Sequence, residues 1–214
     1  MVTSDYKKTG TTTVGIVCKD GVILAADKRA TAGYMIVNKK TDKIEKITDK
    51  MAVTTAGTVS DIQLLIRIIK AQLNLHYMRR GIGLGVKESA NFLATLVYSN
   101  IRKMSMIPGV SHFLFGGVDD TGFYLYDIFP DGSITEVDDF ISSGSGSVFA
   151  FGVLDADYKH NLSVEEGVKL AIKAVNSAMQ RDVNSGEGID VVTITQKDGV
   201  KKVFGKKLDT VITA

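Results

Sequence analysis

The order in which the hydrophobic period changes along this chain restricts its fold more than any single motif does. Strand patterns open the sequence, two helical patterns follow, strands return, two more helical patterns follow, and strands close it. A doubly wound fold would alternate strand with helix. Grouped elements instead call for an α+β fold of antiparallel sheets with helices gathered against them.

The individual signals are local. Thr11 to Cys18 is rich in β-branched residues, and Gly21 to Lys28 follows a Lys19-Asp20-Gly21 turn, which reads as a hairpin. Met51 to Ala56 is a further strand ending at Gly57. Ser60-Asp61-Ile62-Gln63 has the form of a capping box, so a helix is expected from Asp61 to about Met78, with Ile62, Leu65, Ile66, Ile69 and Leu73 buried and cover on several sides. Val86, Ala90, Leu93, Val97 and Ile101 mark one face of a second helix. Phe113 to Val118, Phe123 to Ile128 and Ser133 to Val137 read as strands, and helical pattern resumes near Ser147. Ser163-Val164-Glu165-Glu166 is a second capping box, followed by Val164, Val168, Ile172, Val175 and Met179 at helical spacing until Asn184-Ser185-Gly186. Ile189 to Thr195 and Val200 to Phe204 are the closing strands.

The chain of 214 residues, 44% hydrophobic and 23% charged, has the size and composition of a globular domain able to bury its own core. No linker-like break or internal repeat divides it, so residues 11–214 are expected to form a single domain behind residues 1–10. A net charge of +2 gives no reason to expect a nucleic-acid or lipid partner. Cys18 is the sole cysteine and His76, His112 and His160 are scattered, which argues against a disulfide or a metal site. The first ten residues hold no signal-peptide core and no stretch approaches a membrane span, so a cytoplasmic location is expected.

The common catalytic motifs are absent: there is no G-x-S-x-G elbow, P-loop, H-E-x-x-H helix or dinucleotide fingerprint in the required context. Taken one at a time, the remaining candidates have ordinary readings. Thr11-Thr12-Thr13 is a strand edge, Gly10 a turn residue, and Lys43 one of several lysines beside Lys39, Lys40 and Lys46.

Taken together they read differently. KTGTTTVGI at the start, then DKRAT, TDK, TTAGTVSD, GSGSVFAFGVLD and QRDVNSGEGIDV occur in an order that resembles proteasome β-subunits, over residues 10 to 205. That family belongs to the N-terminal nucleophile hydrolases, whose fold is a four-layer αββα sandwich of two antiparallel sheets between helical layers. The resemblance implies a threonine endopeptidase of the proteasome core that degrades unfolded proteins. It places the nucleophile on Thr11, once autocatalytic cleavage of Gly10-Thr11 has removed residues 1–10 as a propeptide. A threonine hydroxyl is a weak nucleophile without a base, and a free N-terminal amine supplies one. The lack of a Cβ on Gly10 would let the hydroxyl approach its carbonyl.

The same resemblance places a lysine beside the nucleophile at Lys43 and its orienting carboxylate at Asp27. It puts a group around the threonine amine at Ser145, Asp182 and Ser185, and the oxyanion-hole N–H at Gly57. Substrate would lie as an added strand along Thr31, Gly57 and Val59. The specificity pocket would be lined by Ala30, Thr55 and Val59, with Thr55 at its base and Glu45 near the rim. No cofactor is implied. Expected partners are other β-subunits in a ring, α-subunit rings, a regulatory unfoldase ATPase and unfolded polypeptides, and the short leader is similar to archaeal members. Three rivals remain at this point. One is a non-catalytic member of the same assembly, against which the set Gly10, Thr11, Asp27 and Lys43 argues; another is the simpler bacterial two-ring peptidase, against which the GSGS and QRD-x-x-SG segments argue; the third and most remote is a non-enzymatic binding module.

Overall fold

The computed structural model describes residues 10–106 and 108–207. The chain begins with a hairpin of β1 (Thr13–Cys18) and β2 (Gly21–Asp27), turning at Lys19-Asp20 with Cys18 opposite Gly21. A small hairpin, β3 (Ala30–Ala32) and β4 (Met35–Asn38), precedes β5 (Ile44–Thr48) and β6 (Met51–Gly57). Helices α1 (Val59–Arg80) and α2 (Val86–Ile101) follow, then β7 (Ser111–Asp119), β8 (Gly122–Ile128), β9 (Ile134–Glu136) and β10 (Phe140–Ser143). Helices α3 (Ser147–Asp157) and α4 (Val164–Arg181) lead to β11 (Gly188–Thr195) and β12 (Gly199–Lys207). The short strands β3, β4, β5 and β10 carry too few residues to show a period, and the sequence reading did not include them.

The strands form two five-stranded antiparallel sheets, ordered β10-β1-β2-β11-β12 and β5-β6-β7-β8-β9. Strand alternation sends one set of side chains to each face. Val14, Ile16, Ile23, Ala25 and Val191 of the first sheet pack on α3 and α4 through Leu154, Leu170, Ala174 and Val175. Val53, Phe113, Phe115 and Ile128 of the second pack on α1 and α2 through Leu65, Ile69, Leu93 and Val97. The opposite faces meet each other: Val22, Leu24, Val192 and Ile194 of one sheet against Ala52, Leu114, Val118 and Leu125 of the other. The result is the αββα sandwich that the family resemblance implies, and it agrees with the α+β grouping read from the element order. Each fully buried Leu or Ile in these three clusters contributes roughly 1.5–3 kcal/mol.

Helix α4 starts as its sequence requires. Ser163 Oγ accepts from Glu166 N while Glu166 Oε2 accepts from Ser163 N at 2.9 Å, completing a capping box. Helix α1 does not. It starts at Val59 rather than Asp61; its N-cap is Thr58 with no side-chain bond, and Ser60 Oγ donates to Asp61 instead. The cause lies before the helix. Gly57 has φ +126, where a Cβ would meet the Val110 carbonyl at 2.2 Å, and Thr58 N–H donates to that same carbonyl. This turn directs the chain into the helix two residues early. Helix α1 is also covered on one face only within this chain: Ile62, Leu65, Ile66, Ile69 and Leu73 are buried, while Leu64, Tyr77 and Met78 are exposed.

Candidate active site

Thr11 lies just ahead of β1 and is buried. Its Oγ1 donates a 2.7 Å hydrogen bond to the carbonyl oxygen of Gly10. Gly10 is itself held, its N–H donating to Thr31 Oγ1 at 3.1 Å. A Cβ on Gly10 would lie 1.6 Å from Asn184 Cβ, so the glycine is also demanded by packing.

Asp27 ends β2 and is 1% exposed. A buried carboxylate is costly unless its lone pairs are filled. Here Oδ1 accepts from Thr12 N–H at 2.9 Å and from Lys43 Nζ at 2.7 Å, and Oδ2 accepts from Arg29 N–H and Gly186 N–H, both at 3.0 Å. Lys43, just before β5, is 4% exposed and unlike its neighbours Lys39 and Lys40, which face solvent. Burial pushes its ammonium below the ordinary lysine value, opposed by Asp27 and, from farther off, Asp182. Its Nζ also lies 3.5 Å from the Gly10 carbonyl oxygen. The backbone of Lys43 is fixed by Thr55, whose N–H and hydroxyl both donate to its carbonyl, at 2.9 and 3.3 Å.

The second group closes over Thr11 from the other side. Thr11 N–H points to Ser145 Oγ at 3.3 Å, and the hydroxyls of Ser145 and Ser185 both donate to Asp182 Oδ2 at 2.6 Å. Asp182 is the C-cap of α4, Ser185 lies in the loop after it, and Ser145 lies in the turn between β10 and α3. That turn approaches very closely: Gly144 has φ +94, and a Cβ there would stand 2.0 Å from the Thr11 carbonyl oxygen.

The structure thus gathers Gly10, Thr11, Asp27, Thr31, Lys43, Thr55, Ser145, Asp182 and Ser185 into one linked cluster. Ala30 stands on β3 beside Arg29, Gly57 closes β6 and Val59 opens α1 with half its surface exposed. Glu45 is on β5, where its carboxylate takes a 3.0 Å ion pair from Lys70 of α1. Three contributors escaped the sequence reading. Thr12 bonds Asp27 through its N–H and Ser185 through its hydroxyl; Arg29 ties the Asp27 end of β2 to Val183 O and Glu187; Asn184 walls Gly10. Arg29 sits inside the quoted DKRAT segment, and Thr12 inside the threonine run, where only long-range contacts single them out.

Two antiparallel sheets between helical layers, the four-layer αββα sandwich, are the fold of the N-terminal nucleophile hydrolases as a class. Within that class, residues 7–194 match the sequence model of the Proteasome subunit family. The chain is 48% identical over 192 residues to a Proteasome subunit beta of Ferroglobus placidus, covering 90% of each chain. It is 44% identical over 203 residues to Proteasome subunit beta 2 of Pyrococcus abyssi, covering 95% of each, and 46% identical over 189 residues to a Proteasome subunit beta of Archaeoglobus fulgidus, covering 88% of this chain and 87% of that one. The chain belongs to the proteasome subunit family.

Proposed function

We propose that this chain is the β-type, catalytic subunit of a 20S proteasome core, a threonine endopeptidase activated by cleavage of its own Gly10-Thr11 bond. The observation that carries the reading is the Thr11 hydroxyl at 2.7 Å from the Gly10 carbonyl oxygen with Lys43 Nζ 3.5 Å from that same oxygen. In the first step Thr11 Oγ adds to the Gly10 carbonyl carbon, giving up its proton, while the ammonium of Lys43 offsets the charge growing on the carbonyl oxygen. The Gly10–Thr11 C–N bond then breaks as the Thr11 nitrogen takes up a proton, leaving an ester between Gly10 and Thr11 Oγ. Water hydrolyses the ester, releasing residues 1–10 with a Gly10 carboxylate and leaving a free Thr11 amine and hydroxyl.

In the matured enzyme that amine accepts the hydroxyl proton as Thr11 attacks a substrate carbonyl. Lys43, oriented by Asp27, favours the ionised oxygen; Ser145, Asp182 and Ser185 hold the amine; Gly57 N–H faces the oxyanion. The edge carrying Thr31, Gly57 and Val59 pairs with an extended substrate. N-terminal sequencing of assembled particles tests the whole reading: a start at Thr11 is expected, and active particles starting elsewhere overturn it.

As a member of this family the chain works within rings stacked against α-type rings. The exposed apolar side chains of Tyr34, Met35 and Val37 on the β3–β4 hairpin support an assembled state, since monomers seldom leave such residues uncovered. The substrates are unfolded polypeptides delivered by a separate unfoldase ATPase, and the site of action is the cytoplasm. No helix among the described residues is long and apolar enough to cross a membrane.

Cleavage follows large apolar residues. Ala30, Thr55 and Val59 bring no charge to the pocket, and Glu45 is engaged by Lys70 rather than left to attract a basic side chain. Burying a large apolar side chain is worth roughly 1.5–3 kcal/mol, so kcat/KM after Leu, Phe or Tyr should exceed that after Arg or Glu by about 10-fold or more. A panel of fluorogenic peptides varying only the residue before the cut measures this. Faster turnover after Arg would mean that Glu45, not the apolar wall, sets the preference.

A further inference from the structure

His112 lies on β7 opposite Ala56, one residue from the Gly57 pair, and shares a strand face with Leu114 of the inter-sheet core. Its Nε2 is 2.6 Å from Asp127 Oδ1 on β8 and its Nδ1 is 2.7 Å from Ser143 Oγ on β10, while its ring stacks on Phe129 with centroids 5.0 Å apart. Asp127 is 3% exposed. A carboxylate oxygen accepts, so Nε2 donates to Asp127 Oδ1, and Nδ1 shares a hydrogen bond with the Ser143 hydroxyl. Ser143 is buried as well, at 4% exposed.

The network ends on the turn that touches Thr11. Ser143 pairs with Thr13, Ser142 Oγ donates to Thr13 O at 2.8 Å, and two residues beyond Ser143 the Ser145 hydroxyl meets Thr11 N. Gly144 between them is pressed against the Thr11 carbonyl. His112 therefore fastens the sheet that carries Gly57 to the turn that carries Ser145.

We infer that His112, oriented by Asp127, is a positioning residue for the Thr11 reaction, acting through Ser143 on the placement of Ser145. The inference rests on the catalytic reading of Thr11 given above. Ser145 acts on the Thr11 amine after substrate has bound, so the effect falls on kcat rather than KM.

The test uses assembled, matured particles carrying His112→Phe, Ser143→Ala or both, with assembled but unprocessed Thr11→Ala particles as the inactive control, assayed on a fluorogenic peptide. Phenylalanine keeps the stack on Phe129 and removes both nitrogens. Each single variant is expected to lower kcat about 10-fold with KM within about twofold, and the double variant to lose no more than the worse single one, because both cut one connection. Unchanged kcat in both single variants, a rise in KM alone, or a double loss equal to the product of the singles overturns the inference. If His112→Phe does not assemble, Ser143→Ala, which removes a single oxygen, decides the matter. Active wild-type particles with inactive Thr11→Ala particles keep the catalytic reading standing whichever way His112 falls.

Discussion

Thr11→Ala is expected to give a folded chain that assembles, retains residues 1–10 and has no peptidase activity. The hydroxyl that would attack the Gly10 carbonyl carbon is gone, and Lys43, also hydrogen-bonded to that carbonyl, donates to its oxygen rather than attacking its carbon. Structurally little else is lost. The substitution removes one hydrogen bond, worth about 0.5–1.5 kcal/mol, and leaves the Thr11 backbone bonds to Ser145 and Gly146 in place. Intact-mass measurement on rings containing only the variant gives the result directly. Efficient loss of the ten residues from such rings would show that cleavage is carried out by something other than Thr11.

Lys43→Ala should lower turnover by about 100- to 10,000-fold, the usual range for losing a group that assists proton transfer, while the chain still folds. Removing one partner of a buried ion pair commonly costs about 3–5 kcal/mol because the other charge is stranded. Asp27 is protected from that fate by the N–H groups of Thr12, Arg29 and Gly186, which keep a carboxylate comfortable without the ammonium. Lys39→Ala and Lys40→Ala, at solvent-facing positions, should change turnover little. The measurement is kcat on particles whose maturation has been verified by mass, or supplied by active neighbouring subunits. Similar turnover in all three variants would remove Lys43 from the mechanism.

Much of the fold was legible because its causes are local. The Ser163 capping box, the turn at Lys19-Asp20 and the period of β1, β2, β7 and β11 each depend on residues a few places apart. Their order then excludes a doubly wound fold and favours antiparallel sheets with grouped helices, while the stacking of two sheets between helical layers came from the family resemblance. Where a tertiary contact competes with a local signal, the sequence reading slipped. The capping box read at Ser60 lost to a strand-to-helix turn set by Val110, fifty residues away. In α4 the large residues Val168, Ile172 and Met179 only flank the core; the buried face is built from Gly167, Ala171, Ala174 and Ala178 with Leu170 and Val175. Small residues let the helix lie close on β1 and β2, and a Cβ at Gly167 would already press on Ile23 and Cys18.

The candidate site divides in the same way. Thr11 after Gly10, Asp27, Lys43, Ser145, Asp182 and Ser185 could be named from ordered segments that resemble a family, but nothing in their local pattern separates Lys43 from the solvated lysines around it. That separation is made by folding: β2 ends where Asp27 can reach Lys43, and the surrounding layers strip water from both. The sequence by itself determined the elements, their order and the family's chemical vocabulary, since propensity, capping and period act between near neighbours. The tertiary structure alone decided which charges are buried, which hydroxyl faces the Gly10 carbonyl, and that His112 joins Asp127 to Ser143, because burial and hydrogen bonding between residues far apart in the chain exist only once the sheets have closed on each other.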